Sequence, residues 1–193
     1  MQRYSKVKLI IDELLGEEKT TINILKLEIT EDDEFEQTFV QTKFETNNEY
    51  SGIHGAGEGF VDAMVASFVE HFQEEYPSLE NFYLSRYEVK ARIKKKLIGE
   101  VKQTDASVEV EIGIQVPAGE EILFSSKDVS LVRATTKVVR DAIQFMINCE
   151  KAAHTARFCL QQAKTSGRVE VVEKYIGYLS TLVKIASYDK AFN

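Results

Sequence analysis

Two stretches in the middle of the chain alternate so regularly that they leave little freedom in how it folds. Tyr83, Ser85, Tyr87, Val89, Ala91 and Ile93 fall on one side of an extended backbone, with Arg86, Glu88, Lys90 and Arg92 on the other. Residues 106–116 repeat the pattern, setting Val108, Val110, Ile112, Ile114 and Val116 against Ser107, Glu109, Glu111 and Gln115. Successive side chains of a strand point to opposite faces, so each stretch is a strand with one wet and one buried face. Such strands belong to antiparallel sheets covered by helices on one side. The basic run Lys94-Lys95-Lys96 between them reads as a solvated hairpin extension. Pro117-Ala118-Gly119-Glu120 makes a turn before a third short strand at 121–125.

The same order of elements is legible upstream. Residues 5–15, with Val7, Ile10, Ile11, Leu14 and Leu15, form a short amphipathic helix ended by Gly16. Residues 20–30 are a strand whose alternation changes phase between Ile24 and Leu25, the signature of a bulge or twist. Glu31-Asp32-Asp33-Glu34 is a polar turn, and residues 35–46 return as a second strand carrying Phe35, Phe39, Val40 and Phe44. Then Gly52, Gly55, Gly57 and Gly59 crowd into eight positions and lead to a helix with Val61, Met64, Val65, Phe68, Val69 and Phe72 on one stripe, closed by Tyr76-Pro77. A second helix begins at Ser126 or Asp128, with Ser or Asp as its cap. Its stripe runs through Val129, Val132, Thr136, Val139, Ile143 and Ile147, and it continues past Ala152, Ala156 and Leu160 to Thr165-Ser166-Gly167. Residues 169–191 form a last amphipathic helix folding back on it. Strands, turn and a helix with Asp62 near its start are echoed by strands, turn and a helix with Asp128 near its start. The expected fold is a two-layer α+β sandwich. Residues 1–19 form an N-terminal helix, 20–77 and 78–147 two similar halves, and 148–193 a helical C-terminal extension.

Composition excludes several function classes. A net charge of −7 argues against nucleic acid or an anionic membrane as partner. No apolar run reaches membrane-spanning length, and the N-terminus Met-Gln-Arg-Tyr-Ser-Lys lacks the apolar core of a signal peptide. Cys149 and Cys159 stand ten apart in a helical region, too far for a disulfide within one helix. Free buried thiols in the cytoplasm are the expectation. Catalytic signals are poor. His71 has Glu74 and Glu75 nearby but no second His or Cys at ligand spacing, so it reads as a surface histidine. Cys149 and His154 are five positions apart and diverge by roughly 140° around a helix, which is wrong for a nucleophile and its base. Neither a metal nor a cofactor is expected, and the chain is not expected to be an enzyme.

The glycine-rich corner is the candidate site. Glycines before a helix allow positive φ and close backbone approach, and a helix start favours anions. One reading places a small ligand's polar end there; the other sees only a tight strand-to-helix turn. The spacing fits neither a dinucleotide fingerprint nor a phosphate loop, and Glu58 would repel a phosphate.

Gly57-Glu58-Gly59-Phe60-Val61-Asp62-Ala63 resembles the Gly-x-Gly-Pro-Val-Asp-Ala motif of the C-terminal regulatory domain of 2-isopropylmalate synthase and its citramalate synthase relatives. Tyr87-Glu88-Val89-Lys90-Ala91 resembles that domain's Tyr-x-Val-x-Ala strand, and Thr104-Asp105-Ala106-Ser107-Val108-Glu109-Val110 its Thr-Asp-Ala-x-x-x-Val segment. Asp128-Val129, Ala134-Thr135 and Ala142 resemble its closing helix, so the ordered likeness runs from about residue 20 to 147. Phe60 stands where the family has proline, Glu58 where it has a small polar residue, and Phe124–Asp128 lacks the family's glycines.

The resemblance implies a duplicated βββα domain that forms a homodimer and binds leucine or isoleucine near the interface. It also implies that the synthases' catalytic barrel is missing, since the chain opens with its own Met1. The expected function is a non-catalytic regulatory or dimerisation module with Gly55, Gly57, Glu58, Gly59, Phe60, Val61 and Asp62 at the ligand. There Asp62 caps the helix rather than touching the effector. The alternative is a scaffold that keeps the fold without a ligand and serves a protein partner such as a separately encoded enzyme.

Overall fold

The computed structural model describes residues 2–98, 101–116 and 119–185. Helix α1, Gln2–Leu15, ends where Gly16 takes a positive φ of 50°, a backbone state glycine enters without strain. Strands β1 (Ile22–Asp32), β2 (Gln37–Thr46) and β3 (Glu49–Gly57) form an antiparallel meander, and α2 (Phe60–Phe72) returns over it. After a 3-10 turn at Pro77–Asn81 comes a second meander, β4 (Leu84–Ile98), β5 (Val101–Gln115) and β6 (Glu121–Asp128). Helices α3 (Leu131–Thr165) and α4 (Val169–Leu182) complete the chain. The fold is α+β, with the order β-β-β-α run through twice and a helical pair at the C-terminal end.

Local chemistry explains the hairpins, and corrects the reading of the first half. The Asp32 carboxylate accepts the N–H groups of Glu34 and Phe35, so the acidic run closes a turn, and exposed Phe35 belongs to that turn rather than to β2. Asn47 and Asn48, with φ of 51° and 67°, sit between the paired Thr46 and Glu49. They form the two-residue hairpin turn that demands positive φ at both positions. The glycine-rich stretch that follows is therefore not a loop: Gly52, Gly55 and Gly57 are strand residues of β3, each with a partner on β2. The phase change near Ile24 is a bulge that pushes Leu25 outward. A second register shift, between Leu84 and Arg86, sets Leu84 rather than Ser85 opposite Ile114.

The basic extension 94–96 is β-ribbon, its backbone paired with β5 as far as Ile98 and Val101. The turn at Pro117 and Ala118 and the tail beyond Ile185 lie outside the described residues. Strand β6 runs on to Asp128, so the N-cap of α3 is Ser130, whose hydroxyl accepts from the Arg133 N–H. Val129 accordingly leaves the helical stripe and stands exposed before it. Helix α3 crosses position 147 without a break, so the second half and the C-terminal extension share one helix.

Each helix covers one side of its own sheet, α2 over β2 and β3, α3 over β5 and β6. The two halves do not have separate cores. Phe44, Phe68 and Phe72 pack ring to ring at 5.8–6.4 Å and belong to the same apolar cluster as Val110, Ile112, Ile143, Ile147 and Leu182. Polar side chains on α3 then fix the first half to the second. The Asn148 amide accepts the Thr20 N–H at 2.8 Å and donates to its carbonyl at 2.9 Å, and Gln144 accepts the Ile22 N–H at 2.8 Å. Glu150, fully buried, accepts the Ser78 N–H at 3.0 Å. On the far side Tyr4 of α1 packs against Phe124 and Phe145, and Glu13 pairs with Lys174 and Tyr178 of α4. No helix among the described residues is long and apolar enough to cross a membrane.

Removing the Asn148 amide strands two buried backbone groups, each costing about 1–3 kcal/mol. Asn148→Ala should therefore lower the unfolding free energy by about 3 kcal/mol in urea titration, a loss at the upper end for single substitutions.

Candidate functional site

The corner from Gly55 to Asp62 joins β3 to α2. Gly55 and Gly57 lie on the helix-facing side of β3, opposite Val40 and Thr38. None of Gly52, Gly55, Gly57 and Gly59 takes a positive φ, so conformational freedom is not why glycines are there. Distance is. A Cβ on Gly55 would stand 2.2 Å from the Ala63 carbonyl oxygen and 2.6 Å from the Ser67 Cβ. One on Gly57 would stand 2.5 Å from the Asp62 carboxylate and 2.6 Å from the Ala63 nitrogen. Helix α2 rests directly on bare strand backbone, and the gap where a ligand could slip between them is closed.

What remains accessible is the outer rim. Gly59 is the N-cap and bonds through its carbonyl to the Ala63 N–H at 2.9 Å. Phe60 and Val61 are half-buried in the first turn, with Phe60 against the core. The Asp62 carboxylate reaches back to the Glu58 N–H at 3.2 Å, so it caps the turn. Glu58 and Asp62 together put two carboxylates at the helix start. They offset the positive end of the helix dipole, and the rim favours an ammonium group over an anion.

The corresponding corner of the second half is built differently. Asp128 accepts the Ser130 N–H at 3.1 Å and ion-pairs with Arg133 at 2.9 Å and Lys137 at 2.6 Å. The Lys137 ammonium above all, then the Ser130 N–H and the Arg133 guanidinium, holds the Asp128 carboxyl well below the usual carboxylate range. Ion pairs do here what close glycine packing does in the first half.

Other openings lie away from the predicted residues. One of about 310 Å³ adjoins the corner, between His54 on β3 and Ser67, Glu70 and His71 on α2. His71 is exposed, as expected of a surface histidine, with its ring edge-on to Phe44 and Phe72. Among the described residues no group of three or more His, Cys, Asp or Glu is placed to hold a metal. A cleft of about 570 Å³ opens between α1, α3 and β6, where Tyr4, Lys8, Asp12, Asp141 and Gln144 meet Phe124. Tyr4 went unnoticed in the sequence, although it continues the α1 stripe of Val7, Ile11 and Leu15 one turn earlier.

Cys149 and His154 differ sharply in exposure, the thiol being enclosed and the His154 side chain 53% exposed. Cys149 is fully buried, burial pushes its thiol well up, and it stays protonated. Cys159 is only half-buried, a correction to the expectation of two buried thiols. His154 stands 3.8 Å from Glu150, one turn along α3. No family model matches the chain, and neither does any curated protein.

Two outcomes follow. Gly55→Ala should destabilise the protein by about 3 kcal/mol through overpacking, whereas Gly52→Ala, on the same strand with nothing within 4 Å of its Cβ, should change thermal stability little. Because the carboxyl of Asp128 is lowered in the folded state, its stabilisation is present above the ordinary carboxylate range and disappears as pH falls through the folded value. Asp128→Asn should lower Tm at neutral pH, and the gap to the parent protein should close as the solution is acidified.

Proposed function

We propose that this chain is a non-catalytic regulatory and dimerisation module of the kind found in the C-terminal region of 2-isopropylmalate and citramalate synthases. The observation that carries this reading is the order β-β-β-α run through twice around one core, with the Gly-Glu-Gly-Phe-Val-Asp corner at the first strand-to-helix junction. On this reading the effector is a small branched-chain amino acid held on the outer rim of that corner. Glu58 takes its ammonium group, Asp62 keeps the turn closed behind it, and half-buried Phe60 and Val61 meet the apolar side chain.

A second reading is favoured by the packing of Gly55 and Gly57 against α2, which closes the space between strand and helix at those two positions. On it the chain is a scaffold whose surfaces engage a protein, such as a separately encoded enzyme. Isothermal titration with leucine, isoleucine and valine separates the two. Heat with one of them, weakened about tenfold by Glu58→Gln through loss of a charge-assisted contact, supports the sensor. No heat up to millimolar concentration removes the effector and leaves the scaffold.

A further inference from the structure

We infer that two copies meet along the free edge of β4, antiparallel, about a two-fold axis passing beside Val89. This rests on the module being a dimer and names the face through which it forms.

The second sheet has the order β4-β5-β6, so among the described residues one edge of β4 has no strand beside it, over a strand of fifteen residues. Natural proteins seldom leave an edge that long unguarded. The helix-facing side of this strand is only partly covered by the described residues. Tyr87 and Val89 lie on the same face as Ile112 and Val110, their partners on β5. Yet Ile112 and Val110 are fully buried, while Tyr87 and Val89 are 41% and 43% exposed. The cause is the placement of α3 over β5 and β6. It touches β4 through a 3.0 Å hydrogen bond between the Tyr87 and Thr135 hydroxyls, and one turn before Thr135 Leu131 is also exposed. A further observation is the length of the ribbon. The three-stranded part ends at the row Ala91, Val108 and Asp128, but β4 and β5 stay paired for seven more positions, from Arg92 with Ser107 to Ile98 with Val101. A two-stranded ribbon is marginal in water on its own.

The charges on the outer face decide the occupant and the register. In antiparallel pairing about Val89 that residue meets its own copy, Tyr87 faces Ala91, and Glu88 faces Lys90, twice by symmetry. The side chains that ordinarily guard an edge, Glu88 and Lys90, which pair at 3.4 Å within one strand, thus become self-complementary across two. Arg86, which would stand opposite Arg92, a like charge, is already held on its own sheet by Glu88 at 3.7 Å, Glu111 at 3.6 Å and Glu121 at 3.3 Å. The product is one continuous six-stranded sheet, with the exposed rims of both inner faces joined.

The test uses the whole chain. Val89→Cys, in a Cys159→Ser background because Cys159 is the less buried thiol, should give a covalent dimer on mild oxidation or with a short bismaleimide. Leu25→Cys, exposed on the bulge of the first sheet, should not. Glu88→Lys should raise the dimer dissociation constant about tenfold in sedimentation equilibrium, and adding Lys90→Glu should restore it. A parent dimer that neither cross-links at position 89 nor responds to Glu88→Lys overturns the β4 edge and leaves the dimer intact. A parent protein monomeric at every concentration reached overturns both.

Discussion

The paired hydrogen bonds between the Asn148 amide and the Thr20 backbone fix where the first sheet starts relative to the helix that covers the second. Most of the architecture hangs on that helix. Along one face α3 buries Val138, Val139, Ile143 and Ile147 in the common core. Along another it satisfies backbone groups of Thr20, Ile22 and Ser78. Buried backbone donors left without partners cost more than their bonds contribute, so these contacts matter chiefly by forbidding alternatives. The two halves are thus parts of one cooperative unit, despite repeating the same order of elements.

The repeat is one of topology, not of local chemistry. At the first strand-to-helix corner two glycines let helix and strand backbones approach within side-chain-free distance. At the second, a carboxylate clamped by two cations holds the turn. Close packing of this sort is insensitive to salt and pH, whereas the ionic clamp is sensitive to both. The two corners therefore respond differently to the same solution.

How much of this could be read from the residues differs by element. The clean alternation of 106–116 identified β5 because one of its faces is packed and the other wet. The first half was harder. In β3 the helix-facing positions are Ser51, Ile53, Gly55 and Gly57, and three of these four carry no apolar signal. The strand is recognisable only through the Asn47-Asn48 turn before it, whose requirement for positive φ selects asparagine. The corner's position was legible, but not the reason for its glycines: close approach is a property of two elements, and nothing in one segment reveals how near the other will come. The boundary near residue 147 had a similar origin, since the likeness that suggested it ended there while the hydrophobic period did not.

Helix α3, at 35 residues, is a rod of about 50 Å. Its N-terminal end lies over β5 and β6, and its C-terminal end is gripped by α4. A stiff lever of that length turns a tilt of about 5° at one end into a displacement of about 4 Å at the other. Whatever docks against the C-terminal end of α3 thus acts, mechanically, on the strands beneath its N-terminal end.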